Sequence, residues 1–374
     1  MRTLSLSDST DIFVVGGGPA GLAAAIAVRR LGFRVTVADG ARMPIDKACG
    51  EGLMPDGISA LAKLGINVPY ENSYPFSGIR FLTGSLSVDA RFPSGECAFG
   101  VRRTELHRRM AEHAAGLGVE LLWETPVAGL SDDGVRLRDR TVSARWIVGA
   151  DGGNSRVRRW AGLDVFRRRH CRYAFRQHFK IAPWTDRMEL YWGLRGEIYV
   201  TPVAKDQVCV ALISRDPKLR LSEAIPLFPE LARRLKGILV SSSERGALTA
   251  TSSLRRVTRG NVALIGDASG TVDAITGEGL CLAFSQAMVL AECLKANDLS
   301  RYESEHRKLS LRPLLMARLM LTLDGRPRLQ RRTLRAFRQR PRIFSRLLEL
   351  HVGARSPLHL ALDGLTLGWG LLTA

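Results

Sequence analysis

The chemistry legible in this chain begins at Gly16-Gly17-Gly18-Pro19-Ala20-Gly21. This G-x-G-x-x-G stands between the apolar run Ile12–Val15 and the alanine-rich stretch Ala20–Leu31. In a strand–turn–helix unit Gly16 permits the tight turn and Gly18 lets the backbone approach a pyrophosphate. Gly21 lets helix and strand pack closely. Pro19 and Ala20 then open a helix whose free N–H groups and positive dipole end face the phosphates. Asp39 closes the next β-branched run, Arg34–Asp39, at about the offset where an acid accepts ribose hydroxyls. Strand, turn, helix and acid at this spacing predict a dinucleotide site.

Four further segments follow in order. They are Asp46-Lys47-Ala48-Cys49-Gly50-Glu51-Gly52-Leu53, Val148-Gly149-Ala150-Asp151-Gly152-Gly153, Ala263-Leu264-Ile265-Gly266-Asp267-Ala268 and Asp273-Ala274-Ile275-Thr276-Gly277-Glu278-Gly279-Leu280. With Arg103-Thr104-Glu105-Leu106, they resemble the FAD-dependent oxidoreductase superfamily of p-hydroxybenzoate hydroxylase and geranylgeranyl reductase. The resemblance implies FAD as cofactor. Asp151 would stand in the DG motif, and Gly266 and Asp267 in the GD motif, with Asp267 on the ribityl chain. Gly277, Glu278, Gly279 and Leu280 would meet the flavin ring, with Cys49 and Gly50 in a loop beside it. Arg103 would contact FAD from an intervening helix, and Val127 joins the cofactor set.

Within the superfamily the C-G-E-G-L loop and D-A-I-T-G-E-G are similar to the geranylgeranyl-reductase branch. Ala274 replaces that branch's usual proline. Its Y-x-W-x-F-P tunnel signature is degenerate here as Glu197-Ile198-Tyr199-Val200-Thr201-Pro202. Hydroxylase-like flavoproteins encoded near polyketide synthases share that E-x-Y-x-T-P version. The halogenase signature W-x-W-x-I-P is absent, so halogenation is not expected.

The first expectation is therefore an NAD(P)H-dependent monooxygenase that hydroxylates a phenolic or polyketide-like lipophilic molecule through a flavin C4a-hydroperoxide. The alternative is an ene-reductase delivering hydride from flavin N5 to an isoprenoid double bond. A third reading, of another class, is a membrane-associated FAD protein that does not turn over. With one G-x-G-x-x-G, NAD(P)H would dock transiently rather than own a domain. Hydroxylation needs a group that orients a phenol, and reduction needs a positioned proton donor. His178, Cys49 and Glu278 are the catalytic candidates. Glu51 reads as a loop organiser, and Tyr199 and Trp192 as core or pocket wall.

These residues need a scaffold of several parts. Residues 1–70, 100–162 and 255–298 read as a discontinuous FAD-binding domain of Rossmann-type α/β class. Residues 71–99 and 163–254 read as an interleaved antiparallel substrate sheet, the latter including KIAPW, MELYW, IYVTPV and QVCVALIS as β pattern. Residues 299–374 form a basic C-terminal helical region.

The 374 residues carry a net charge of +19. Such a field favours anionic partners. Arginines at helical spacing from 326 to 342 suit an acidic bilayer surface or a solvated face. No recognition module accompanies them, so nucleic acid is not expected. The six cysteines form no C-x-x-C pair and no metal-ligand spacing, which fits a reducing cytosol and predicts no metal. MRTLSLSDST lacks the apolar core of a signal peptide. The terminal PLHLALDGLTLGWGLLTA reads as a docked or interfacial segment rather than a span. Localisation is thus expected to be cytoplasmic, peripheral at a membrane if the arginines bind one.

Overall fold

The computed structural model describes residues 8–68, 70–93 and 95–355. Ser9–Val15 lies at the centre of a parallel sheet, paired on one side with Val35–Ala38 and on the other with Thr141–Gly149. Glu120–Leu122 extends the sheet beyond Val35–Ala38, and Val262–Leu264 extends it beyond Thr141–Gly149. Every residue of Val35–Ala38 is buried. A short β-branched run can be apolar on both faces only where helices cover both.

One cover is the helix Pro19–Arg30, which starts with proline in its first turn and ends in Arg29 and Arg30. Both placements suit a helix, because proline sacrifices no needed N–H there and the cations meet the negative dipole end. Its buried residues join one apolar core with those of Arg103–Gly116 and Gly279–Lys295. The class predicted from sequence, α/β with a Rossmann-type unit, is the fold observed.

The second sheet runs in the order 270–271, 245–254, 166–179, 207–214, 197–204, 188–192, 78–83 and 86–91. It is antiparallel except where Met188–Trp192 pairs parallel to Gly78–Thr83. Residues 255–298 feed both sheets, because Gly270–Thr271 pairs with Arg245–Leu254. KIAPW is not a strand: Phe166–Phe179 ends just before it, and residues 180–184 form irregular backbone. Pro183 has no N–H to give a ladder, which outweighs the apolar pattern. The predicted β region also contains two short helices, Leu221–Ala224 and Pro229–Leu235.

Three helices close the described chain: Leu299–Leu323, Pro327–Gln339 and Pro341–His351. Pro327 and Pro341 each open a helix, so the arginine-rich stretch breaks at Arg340 instead of continuing as one rod. Tyr302 ties the first of these helices to the parallel sheet by donating its hydroxyl to the Leu264 carbonyl at 3.0 Å. Among the described residues no helix is long and apolar enough to cross a membrane. The C-terminal segment 357–374 and the N-terminal heptapeptide lie outside the described residues.

Candidate functional site

The carboxyl ends of the parallel strands and one face of the second sheet enclose a cavity of about 1100 Å³. Val15, Ala38 and Ala150 line it at the strand ends, where open α/β sheets bind ligands. Its volume is at the upper end of ligand pockets, on the order of 1000 Å³. The cofactor residues named from sequence converge here: Gly16, Gly18, Pro19, Ala20, Asp39, Arg103, Val127, Asp151, Gly266 and Asp267 all line the cavity. Cys49, Gly50, Gly277, Gly279 and Leu280 line it as well.

At one end the glycine turn is fixed by close approach. Gly16 has φ +108°, and a β-carbon on it would fall 2.5 Å from the Ala150 carbonyl oxygen. A β-carbon on Gly21 would fall 1.9 Å from the Gly16 oxygen, so the turn packs only as glycine and Gly21 serves it from behind. Gly18 by contrast has open space before it. Asp39 accepts from the Gly17 and Ala41 amides at 2.7 and 2.8 Å, which stiffens the acid and leaves carboxylate lone pairs for hydroxyls. His107, absent from the sequence-based set, is fully buried with Nε2 2.8 Å from the Gly17 carbonyl. Burial lowers its pKa, which keeps the ring neutral beside the turn.

Arg103 tests the fit of a pyrophosphate cofactor. Its Nε is buried on the cavity wall with no hydrogen-bond partner. A guanidinium N–H in that state wants an anionic acceptor. Together with the glycine turn and the space before Gly18, it fits FAD. Asp151 is held by its own loop: Oδ2 accepts the amides of Arg156 and Val157, and Oδ1 accepts the Ser155 hydroxyl. It caps the helix Arg156–Trp160 and reaches the cavity as part of its wall.

Across the cavity Lys47 pairs with Asp267 at 3.0 Å. This lysine sits in the polar loop before Cys49 and carried no sequence signal of its own. Cys49 is half-buried and accepts the Glu51 amide at 3.4 Å. Glu51 itself is 2 % exposed and has φ +58°, a left-handed backbone that a non-glycine residue adopts at a cost of about 1–3 kcal/mol. Its Oε1 accepts the Arg103 amide at 2.9 Å, and its Oε2 lies 2.6 Å from His178 Nε2. His178 Nδ1 reaches Ser242 Oγ at 2.8 Å, and Arg176 stands beside it, paired with Asp46.

His178 is fully buried behind Glu51, and the wall in front of it is Glu51 itself. Glu51, His178 and Cys209 bring their ligand-type atoms within 4.8 Å of one another. Burial raises the Cys209 thiol well above its ordinary range, so this sulfur keeps its proton.

Glu278 turns from the cavity. Its carboxylate lies 3.4 Å from Arg312 and 3.5 Å from His351, on two of the C-terminal helices. Gly277 has φ +68° and carries the chain past the cavity while the Glu278 side chain points into this cluster. Burial raises the Glu278 pKa, against the pull of His351 and Arg312. A second buried cluster holds Arg172 between Glu197 at 2.8 Å, Asp273 at 3.0 Å and Asp324 at 3.5 Å. It ties the second sheet, the 273–279 loop and the end of the Leu299–Leu323 helix together. Burial pushes Glu197 up to about 8, and three carboxylates around one guanidinium agree with one of them holding a proton.

A dinucleotide turn on a parallel sheet, joined by a second sheet over one cavity, defines an FAD-dependent oxidoreductase. Residues 9–300 match the family model for the FAD binding domain, and the chain belongs to that family. It is 32% identical over 329 residues to the menaquinone reductase of Mycobacterium tuberculosis, covering 80% of this chain and 79% of that one. It is 25% identical over 331 residues to the digeranylgeranylglycerophospholipid reductase of Methanocella arvoryzae, covering 80% and 83%. Its fold is similar to that of pqsL, a probable FAD-dependent monooxygenase from Pseudomonas aeruginosa. The TM-score is 0.72 at 24% identity, covering 85% of this chain and 97% of that one.

Proposed function

We propose that this protein reduces a carbon–carbon double bond in the apolar chain of a lipid, with FAD as carrier and NAD(P)H as transient donor. The observation that supports this reading is the state of the polar side chains at the substrate end of the cavity. Tyr199 donates its hydroxyl to the Ile275 carbonyl at 2.7 Å, and Thr249 Oγ1 accepts the Ala274 amide. Ser252 Oγ bonds Thr271 Oγ1 at 2.9 Å. Each of these groups makes a bond that holds the 270–276 segment. The wall they leave is apolar, formed by Met54, Met188, Ala211 and Ile213 among others. Such a surface suits a hydrocarbon chain better than a phenol that must be oriented by hydrogen bonds. The 32% identity to a menaquinone reductase points the same way.

In this reading Gly16, Gly18, Arg103 and Asp39 hold the pyrophosphate and ribose. Asp267 and Lys47 would flank the middle of the cofactor, and Cys49, Gly50, Gly277, Gly279 and Leu280 would stand around its ring. Bound FAD supplies the hydride. The chain must supply the balancing proton, and Cys49 and Glu51 stand on that wall with side chains able to relay one. Glu51 has a route for replenishment, through His178 to the half-buried Ser242. Addition of one hydride and one proton across the double bond then balances the two electrons taken from NAD(P)H.

Hydroxylation of a phenolic substrate is the second reading. The strand Glu197–Ala204 favours it, because E-I-Y-V-T-P keeps one aromatic residue, Tyr199, where the reductases' tunnel signature has three. Anaerobic mixing of the reduced holoprotein with a menaquinone bearing an unsaturated side chain separates the two. Flavin reoxidation with a product whose side chain is two hydrogens heavier, after air has returned its ring to the quinone, supports reduction. Inertness there, with labelled oxygen entering a long-chain alkylphenol in air, replaces it by hydroxylation.

A further inference from the structure

The arginines on Pro327–Gln339 and its flanks have no role in the site described above. Arg326, Arg328, Arg331, Arg332, Arg335, Arg338, Arg340 and Arg342 are all exposed. No acidic residue occurs between 326 and 342, and among the described residues none of the eight is in an ion pair. A solvated face of ordinary design mixes signs, because like charges at helical spacing repel. Here the repulsion stands uncompensated, and an anionic partner would relieve it.

The opposite face of the helix shows where that partner would sit. Leu334 and Phe337 are buried in one apolar cluster with Met188 and Ile213. Met188 and Ile213 also line the apolar end of the cavity. The cationic face is therefore the outer surface of the layer that roofs the substrate end. At its start the turn Gly193–Gly196 abuts the helix: the Leu194 carbonyl lies 3.9 Å from where a β-carbon on Gly325 would stand. Leu194 projects with 71% of its surface exposed, and Leu227, 50% exposed, shares a small cleft with it. Protruding leucines beside arginines suit a bilayer, where cations meet headgroup phosphates and leucine enters the acyl boundary. Nucleic acid calls instead for aromatic stacking platforms or base-reading groups, and this face offers leucine. In sequence the chain continues into 357–374, where Asp363 is the one charged side chain.

We infer that this face, the Pro327–Gln339 arginines with Leu194 at their edge, docks the protein on an anionic lipid surface. The docking is independent of which reaction the cavity performs. It is tested by cosedimentation of the full-length FAD-loaded protein with vesicles of phosphatidylcholine alone, or with about one-third phosphatidylglycerol. Binding is expected to the anionic vesicles only, and to fade in about 0.5 M salt as the charges are screened. The variant R331Q/R335Q/R338Q/R342Q should bind about tenfold or more weakly while keeping its flavin content and melting temperature. L194Q should lose binding severalfold at unchanged salt dependence; wild-type binding by L194Q overturns the insertion of that turn. Equal binding to both vesicle types, or full binding by the arginine variant, overturns the proposal. So does tighter, arginine-dependent binding to a short RNA than to the vesicles.

Discussion

Glu51 Oε2 and His178 Nε2 lie 2.6 Å apart with both side chains buried, although 127 residues separate them. Glu51 comes from the loop before the small strand Gly52–Leu53, and His178 from the long strand Phe166–Phe179. The contact joins the cofactor loop to the second sheet at the cavity wall. Its carboxylate is also held by the Arg103 amide, so it is aimed as well as buried.

If Glu51 passes the proton, E51Q keeps the hydrogen-bonding shape and removes the acid. Saturation of the side chain of an unsaturated prenyl quinone by the reduced protein should slow about 10²–10⁴-fold, the usual range for a general acid. FAD affinity should stay within a few fold. S242A breaks the chain one step from the surface and should give a smaller loss with an enlarged solvent isotope effect. Rapid mixing in H₂O and D₂O, with the saturated product followed in time, measures both; E51Q at the wild-type rate removes Glu51 from the chemistry.

Two cations on the cavity wall should differ in what they give to FAD. Lys47 and Asp267 have side chains 43% and 45% exposed, and such pairs contribute about 0–1 kcal/mol. K47Q should therefore weaken FAD binding by less than about fivefold. Arg103 offers a buried N–H without a protein partner. A charge-assisted bond there contributes about 1.5–3 kcal/mol, so R103Q should weaken binding by about tenfold to a hundredfold. Titration of apoprotein with FAD by flavin fluorescence gives both numbers. Equal losses would mean that Arg103 does not reach the pyrophosphate.

The parts of this site that were legible in sequence are those written locally. The glycine turn, the strand before it, the proline-started helix and Asp39 lie within 31 residues of one another and obey short-range geometry. The contacts that were illegible join distant segments: Glu51 to His178 across 127 residues, Lys47 to Asp267 across 220. No periodicity encodes them, because they depend on how two sheets meet. Glu278 looked like a flavin-edge acid because its neighbours Gly277 and Gly279 are flavin-edge residues by resemblance. Its side chain goes to Arg312 and His351, whose helices pack there only after the chain has closed. KIAPW looked like a strand for its apolar residues, and Pro183 ended it.

Burial raises the Glu197 pKa from 4.5 to about 8 in the folded protein. Between those values the folded form holds a proton that the unfolded chain has released. Stability from this group is complete below the unfolded pKa and is lost as pH rises through the folded one. Thermal melts of the wild type should fall in midpoint between about pH 5 and pH 8 on this account, with a slope approaching 1.4 kcal/mol per unit. E197Q, which keeps an oxygen for Arg172, should flatten that slope, whereas R172M should destabilise by about 3–5 kcal/mol by stranding three acids. A slope unchanged in E197Q would place the buried proton on another group.

His306 sets the opposite limit. It is buried beside the GD motif, with Nε2 2.8 Å from Ser269 Oγ and 3.0 Å from Gln286 Nε2. Gln286 in turn accepts the Gly266 amide at 2.8 Å, so the histidine supports the turn that carries Asp267. Burial pushes its pKa down from 6.5 to about 4. Between these values the unfolded chain binds a proton that the folded form refuses, so stability falls as pH drops through that window. The loss should approach about 3 kcal/mol by pH 4. Because the part that His306 supports is the Gly266–Ser269 turn, FAD should begin to leave before the sheet melts. H306Q should hold flavin fluorescence quenched to lower pH than the wild type. Release of FAD at the same pH in both proteins would show that His306 protonation is not what loosens the turn.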